Sequence, residues 1–147
     1  MKKILFPLLL SGAAALVQAQ VTPLGVWHSI DDATHKPKAV IRISTNASGA
    51  LSGVVEKALN PDPNAEPNCV KCSDDRKDKP KVGMEIIRGG KKVDGKDVWE
   101  EGKILDPDNG TDYRLRLTPI EGGKKLEVRG YIGTPLLGRT QTWVRVE

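Results

Sequence analysis

Apolar and polar residues alternate at every second position over much of the chain from Gly25 to Glu147. Ala39, Ile41 and Ile43 fall on one face and Arg42 on the other. Tyr113, Leu115 and Leu117 oppose Arg114 and Arg116, while Leu126 and Val128 oppose Glu127 and Arg129. A period of two with charge on one side marks a half-buried antiparallel strand. The pattern predicts eight strands, at Gly25–Ile30, Lys38–Ser44, Ala50–Lys57, Gly83–Arg88, Val98–Leu105, Thr111–Thr118, Lys124–Ile132 and Arg139–Val146. Beyond the first nineteen residues no stretch keeps a helical period for three turns.

Turn residues fill the gaps between these strands. Asn46-Ala47-Ser48-Gly49, Gly89-Gly90, Asp94-Gly95, Asp106-Pro107-Asp108-Asn109-Gly110 and Glu121-Gly122-Gly123 supply the positive φ and preset φ that tight connections need. Links this short imply up-and-down pairing in sequence order. Eight antiparallel strands close into a barrel wide enough for its own side chains or one small ligand, so an all-β up-and-down barrel is expected. One segment breaks the rhythm. Residues 58–82 hold Pro61, Pro63, Pro67 and Pro80, the pair Cys69 and Cys72, and a mixed-charge run from Asp74 to Lys81. A connection of that length in a compact domain is usually functional or disordered.

The chain opens differently. Met1-Lys2-Lys3 is followed by an apolar run from Ile4 to Val17, too short to span a bilayer, and then by Val17-Gln18-Ala19. This is the layout of a cleaved secretory signal over residues 1–19, with the barrel domain over residues 20–147. No later segment is apolar enough to span a membrane, so an exported protein of the periplasm or the exterior is expected. The full chain of 147 residues has a formal charge of +4, of which the signal carries two lysines. The remaining basic excess is mild and scattered, which argues against a nucleic-acid partner.

Chemistry is sparse. In an exported chain Cys69-Val70-Lys71-Cys72 is most simply a disulfide, with reactive thiols or a metal site as alternatives. His28 and His35 are the only histidines, and the adjacent Asp31 and Asp32 would point to opposite faces of a strand. No catalytic set, metal site or cofactor motif emerges, and the expectation is a protein that is not an enzyme. In the C-terminal block, Pro135-Leu136-Leu137 places apolar side chains in a turn. The simplest expectation is a plug closing one barrel end, and the alternative is a lid or partner contact. Arg139, Gln141, Trp143 and Arg145 share one face of the last strand.

Taken together, Gly25-Val26-Trp27, Cys69-Val70-Lys71-Cys72, Trp99 to Gly102, Ile104-Leu105-Asp106-Pro107 with Gly110 and Tyr113, and Leu126 to Tyr131 through Gly138-Arg139 and Trp143 resemble the bacterial secreted family called domain of unknown function 2147. The resemblance implies a lipocalin-like, calycin-type barrel and no established reaction. Lipocalins carry a Gly-x-Trp on the first strand whose Trp packs on a late arginine. It therefore implies that Trp27 closes the barrel against Arg139 or Arg145, with Arg139 favoured. The expected function is binding of a small apolar or amphipathic ligand in the barrel interior, against Ile41, Ile43, Val55, Ile86 and Tyr113. The alternative is a solid barrel that contacts an envelope protein through its loops.

Overall fold

Residues of alternating polarity form eight strands in a computed structural model that describes residues 12–13 and 21–147. They are β1 (Gly25–Ile30), β2 (Pro37–Thr45), β3 (Leu51–Ala58), β4 (Glu85–Lys92), β5 (Trp99–Asp106), β6 (Thr111–Ile120), β7 (Lys125–Tyr131) and β8 (Gly138–Arg145). The export signal expected over residues 1–19 lies outside the described residues, apart from Gly12 and Ala13. Each strand pairs antiparallel with the next, and β8 returns to β1 to close the barrel. That last seam is short. Its register contains only Trp27↔Arg145 and His28↔Val144, whereas the β6–β7 ladder runs from Arg114↔Tyr131 to Ile120↔Lys125.

One predicted turn is strand instead. Gly89 and Gly90 lie inside β4 with φ of 81° and 115°. On β5, a Cβ at Gly102 would stand 2.8 Å from the backbone of Gly89. Glycine here lets two strands pass closely and bends β4 without ending it. The turn comes later, at Val93–Val98, where Val93 N donates to Val98 O at 2.8 Å.

The two ends of the barrel differ. At one end Trp27 is completely buried and donates its indole Nε1 to Pro23 O at 2.8 Å. The guanidinium of Arg145 lies over its ring, 4.2 Å from the centroid. Arg145 also donates to Gly123 O (2.6 Å), Leu24 O (2.7 Å) and Thr22 O (2.7 Å). One arginine thereby ties the segment before β1, the β6–β7 turn and the Trp into a floor. This corrects the expectation for Arg139. Arg145 is the direct cross-strand neighbour of Trp27, while Arg139 lies at the far end of β8 opposite Gly130.

The long connection between β3 and β4 is held against the outer wall near the opposite end. Cys69 and Cys72 form a disulfide, the simplest of the expected readings, and leave no free thiol as a metal ligand. Both are buried, together with Met84. Lys71 O approaches Gly110 so closely that no Cβ would fit there. Arg76, only 4% exposed, grips Asp74 through Nε (3.2 and 3.1 Å) and Nη2 (2.6 Å), and donates to Glu85 O at 2.9 Å. Asp112 completes its surroundings at 3.5 Å. Asp108 in the β5–β6 turn joins Lys38 of β2 at 2.7 Å and Lys81 of the connection at 2.9 Å. The segment that breaks the strand rhythm is thus pinned by a disulfide, a buried arginine and a three-way ion cluster.

The expected apolar plug is not one. Leu136 and Leu137 are 89% and 70% exposed, and Ile132 beside them is 58% exposed. The turn is closed by its own backbone, Leu137 N to Thr134 O at 3.0 Å and Ile132 N to Leu137 O at 3.1 Å. Arg129 fixes it by donating Nε to Pro135 O at 2.8 Å. These bonds hold the turn as a rim above the barrel, so its leucines point to solvent.

Candidate ligand site at the open mouth

Most inward-facing positions near the Trp27 end are fully buried, although Trp99, opposite Leu117, is half-buried. Leu117 and Leu126 are 0% exposed, and Ile41, Ile43, Leu51, Ile87, Leu115, Val128 and Trp143 are all buried. These side chains fill the lower barrel. Toward the other end the inward positions are Ser29, which is buried, Ala39, Ile104, Tyr113, Gly130 and Gln141, which are half-buried, and Arg139, which is exposed. Small residues make room there. Gly130 lacks a side chain where a Cβ would meet Tyr113 Cβ at 3.2 Å, so the Tyr113 ring occupies that space. At this end Ala39, Ile104 and Tyr113 line the lumen above the packed core, with Ala39 and Ile104 resting against it.

Polar groups line one side of this end of the barrel. Trp143 donates Nε1 to Gln141 Oε1 at 3.1 Å. Gln141 donates Nε2 to Asp32 Oδ2 at 3.0 Å, and Arg139 Nη1 lies 3.1 Å from the same oxygen. A connected chain therefore runs from the floor to the rim, bridging the splayed upper half of the β1–β8 seam. Across the mouth, the Tyr113 hydroxyl accepts from Asn109 Nδ2 at 3.0 Å. Asp31, next to Asp32, holds the β1–β2 turn by accepting from Thr34 N at 2.8 Å and Ala33 N at 2.9 Å. The Thr34 bond leads in holding the Asp31 carboxyl below its ordinary range.

The five residues expected to touch a ligand are not gathered into one site. Ile41, Ile43 and Val55 are packed in the core as part of the floor. Ile86 is buried and is the extra residue of a bulge in β4, out of the regular alternation. Tyr113 alone stands at the mouth. Asp32 and Gln141 were not singled out for the site from sequence. Gln141 carries a signal, since it shares its strand face with Trp143, but Asp32 reaches the mouth only through the β1–β2 turn. His28 is half-buried on β1 and His35 is exposed in the turn, with φ of 59°. Among the described residues no group of three or more His, Cys, Asp and Glu side chains is placed to hold a metal ion.

Comparison with known proteins agrees with this architecture. No curated protein matches the chain. Among solved structures, the lipocalin-family protein HP1028 from the human pathogen Helicobacter pylori is similar, with a TM-score of 0.72 at 17% identity. The match covers 87% of this chain and 85% of that one. At that identity the likeness is one of fold, a lipocalin-like eight-stranded barrel. Residues 25–145 match the model of an uncharacterized protein conserved in bacteria, domain of unknown function 2147, and the chain belongs to that family.

Proposed function

We propose that this is an exported, non-catalytic protein that holds a small amphipathic molecule in the open mouth of its barrel. The observation that carries the proposal is the contrast between the two ends of the lumen: tightly packed around Trp27, and lined by half-buried Ala39, Ile104 and Tyr113 at the other end. Small-ligand sites are concave and mostly apolar, with a few polar groups fixing orientation. Here the apolar part would lie on Ala39, Ile104 and Tyr113, and Arg139 with Gln141 would take a polar or acidic head. Ile41 and Val128 lie beneath as floor, and Ile86 takes no part. The ligand sits shallower than a deep-lumen site would place it, because the lower barrel is occupied by its own side chains.

Titration of the protein with decanoate, followed by amide NMR, tests this proposal. Saturable shifts at Tyr113, Gly130 and Gln141, weakened in Arg139→Ala, are expected. Shifts confined to the outer surface, or none, would contradict it. A second reading is favoured by the exposed Ile132, Leu136 and Leu137, a contiguous apolar rim of the kind that marks contact surfaces. On that reading the barrel is a scaffold and the β7–β8 turn meets an envelope protein. Saturable binding at the mouth that is unaffected by Leu136→Ser would weigh against it.

A further inference from the structure

The outer wall carries a separate cleft of about 480 Å³, between the β4–β5 turn and the outward faces of β5 to β8. Its size is that of a small-molecule site. The register sets Arg116 on β6 directly opposite Arg129 on β7. Like charges directly opposite on a sheet repel and destabilise the pairing. Arg116 is neutralised by Glu100, at 2.8 Å. Arg129 is not. Its guanidinium, half-buried, meets only neutral acceptors, Pro135 O and Thr140 Oγ1 at 2.9 Å, and among the described residues no carboxylate lies within ion-pair distance of it. Lys96 projects into the same cleft from the β4–β5 turn and is likewise without a carboxylate partner among the described residues. Glu127 lines the opposite wall beside Thr118 and Thr140, and it too forms no ion pair among the described residues.

We infer that this cleft binds a phosphate or sulfate ester of a hydroxyl-bearing molecule. The oxyanion would lie between Arg129 and Lys96, and the hydroxyl groups would face Glu127 and Thr118. An arginine with unused N–H groups and an ammonium on a separate loop offer donors from two directions, which suits a tetrahedral oxyanion. The bound charge would also relieve the Arg116–Arg129 opposition, and Glu127 would accept from a ligand hydroxyl. This site is distinct from the mouth, since its lining side chains all point away from the lumen.

The test is a titration of the protein with inorganic phosphate and with glycerol 1-phosphate, read by amide shifts at Thr118, Glu127 and Thr140. A parallel titration with phosphatidylglycerol vesicles is read the same way. Saturable shifts with the soluble probes assign a soluble ligand, and shifts with vesicles alone assign a lipid headgroup. Glycerol 1-phosphate should bind more tightly than inorganic phosphate. Because Arg129 also anchors the β7–β8 turn, the decisive variant is Lys96→Ala, since the Lys96 side chain forms no hydrogen bond or ion pair among the described residues. It should weaken binding roughly tenfold, the effect of one charge-assisted hydrogen bond. No saturable shift with any probe, or shifts unchanged in Lys96→Ala, would overturn the inference.

Discussion

Trp27 and Arg145 show how much one residue pair decides. The aromatic position was legible in the sequence because Gly-x-Trp opens an alternating strand. Its partner was not, because Arg139 and Arg145 lie on the same face of β8 and only the β1–β8 register separates them. Removing Arg145 would expose the Trp27 face and leave the carbonyls of Thr22, Leu24 and Gly123 without a donor. Arg145→Ala should therefore cost about 2 kcal/mol or more, by the worth of a desolvated cation–π contact plus lost hydrogen bonds. Arg139→Ala, removing an exposed ion pair, should stay within roughly 0.5 kcal/mol of the parent. Urea unfolding of the two variants checks the contrast, and equal losses would contradict it.

A second residue-scale expectation concerns acid. The side chain of Arg76 holds the Asp74 carboxyl down at about 2, from an ordinary 3.8. Asp75 is lowered the same way, first by Arg88. At Asp108 burial opposes ionisation, but Lys38 and Lys81 outweigh it and the carboxyl is again lowered. A carboxyl lowered by folding binds more protons when the chain unfolds. Its contribution is therefore complete above the unfolded value and fades as pH falls through the folded one. The connection between β3 and β4 should loosen between roughly pH 4 and 2, ahead of the barrel. Asp74→Asn should flatten that limb of a stability–pH curve, and an unchanged acid limb would rule the pair out as its source.

At the scale of elements, the strands were legible because each carries its own alternation, and their order followed from the short links. What alternation does not encode is where long-range polar contacts land. The 59–84 connection has prolines and charges that suit a disordered insertion, yet Arg76 is buried in it and Asp108 clamps it from another hairpin. Arg76→Ala would leave Asp74 and Asp112 facing one another without their cation. Both carboxylates are partly solvated, so the loss is that of the charge-assisted hydrogen bonds and the bond to Glu85 O, about 1.5–3 kcal/mol. Hydrogen exchange should show the loss concentrated in residues 59–84, with β6 and β7 still protected. Uniform loss across the barrel would mean that the connection and the barrel form one cooperative unit. The β7–β8 turn is the opposite case. Leu136 and Leu137 read as core from their side chains alone, but Arg129 and two backbone bonds hold them outward. Leu136→Ser should change stability by no more than roughly 0.5 kcal/mol, as a surface substitution does. A core-sized loss in thermal unfolding would restore the plug.

At the scale of the whole molecule, closure of eight strands produces two unlike ends. One is sealed by Trp27 and Arg145. The other is walled by Ala39, Ile104 and Tyr113 and edged by the Trp143–Gln141–Asp32–Arg139 chain. The barrel was legible in the sequence, since strand count and alternation determine it. The depth of its opening was not, because that depends on how large inward side chains from different strands meet in the lumen. Ile41, Ile43 and Val55 are apolar and inward, as a ligand wall should be, but they pack against one another and form a floor. The same geometry makes Ala39, which rests on the upper edge of the core, the position where added bulk would fill the mouth end.

Native mass spectrometry of the purified protein and its Ala39→Trp variant tests the mouth directly. The parent, after incubation with decanoate, should retain the acid as a one-to-one complex, and Ala39→Trp, with its fold checked by far-UV circular dichroism, should retain none. A parent that retains nothing, or a variant that retains the acid as well as the parent does, would contradict the claim that the open mouth is the binding site.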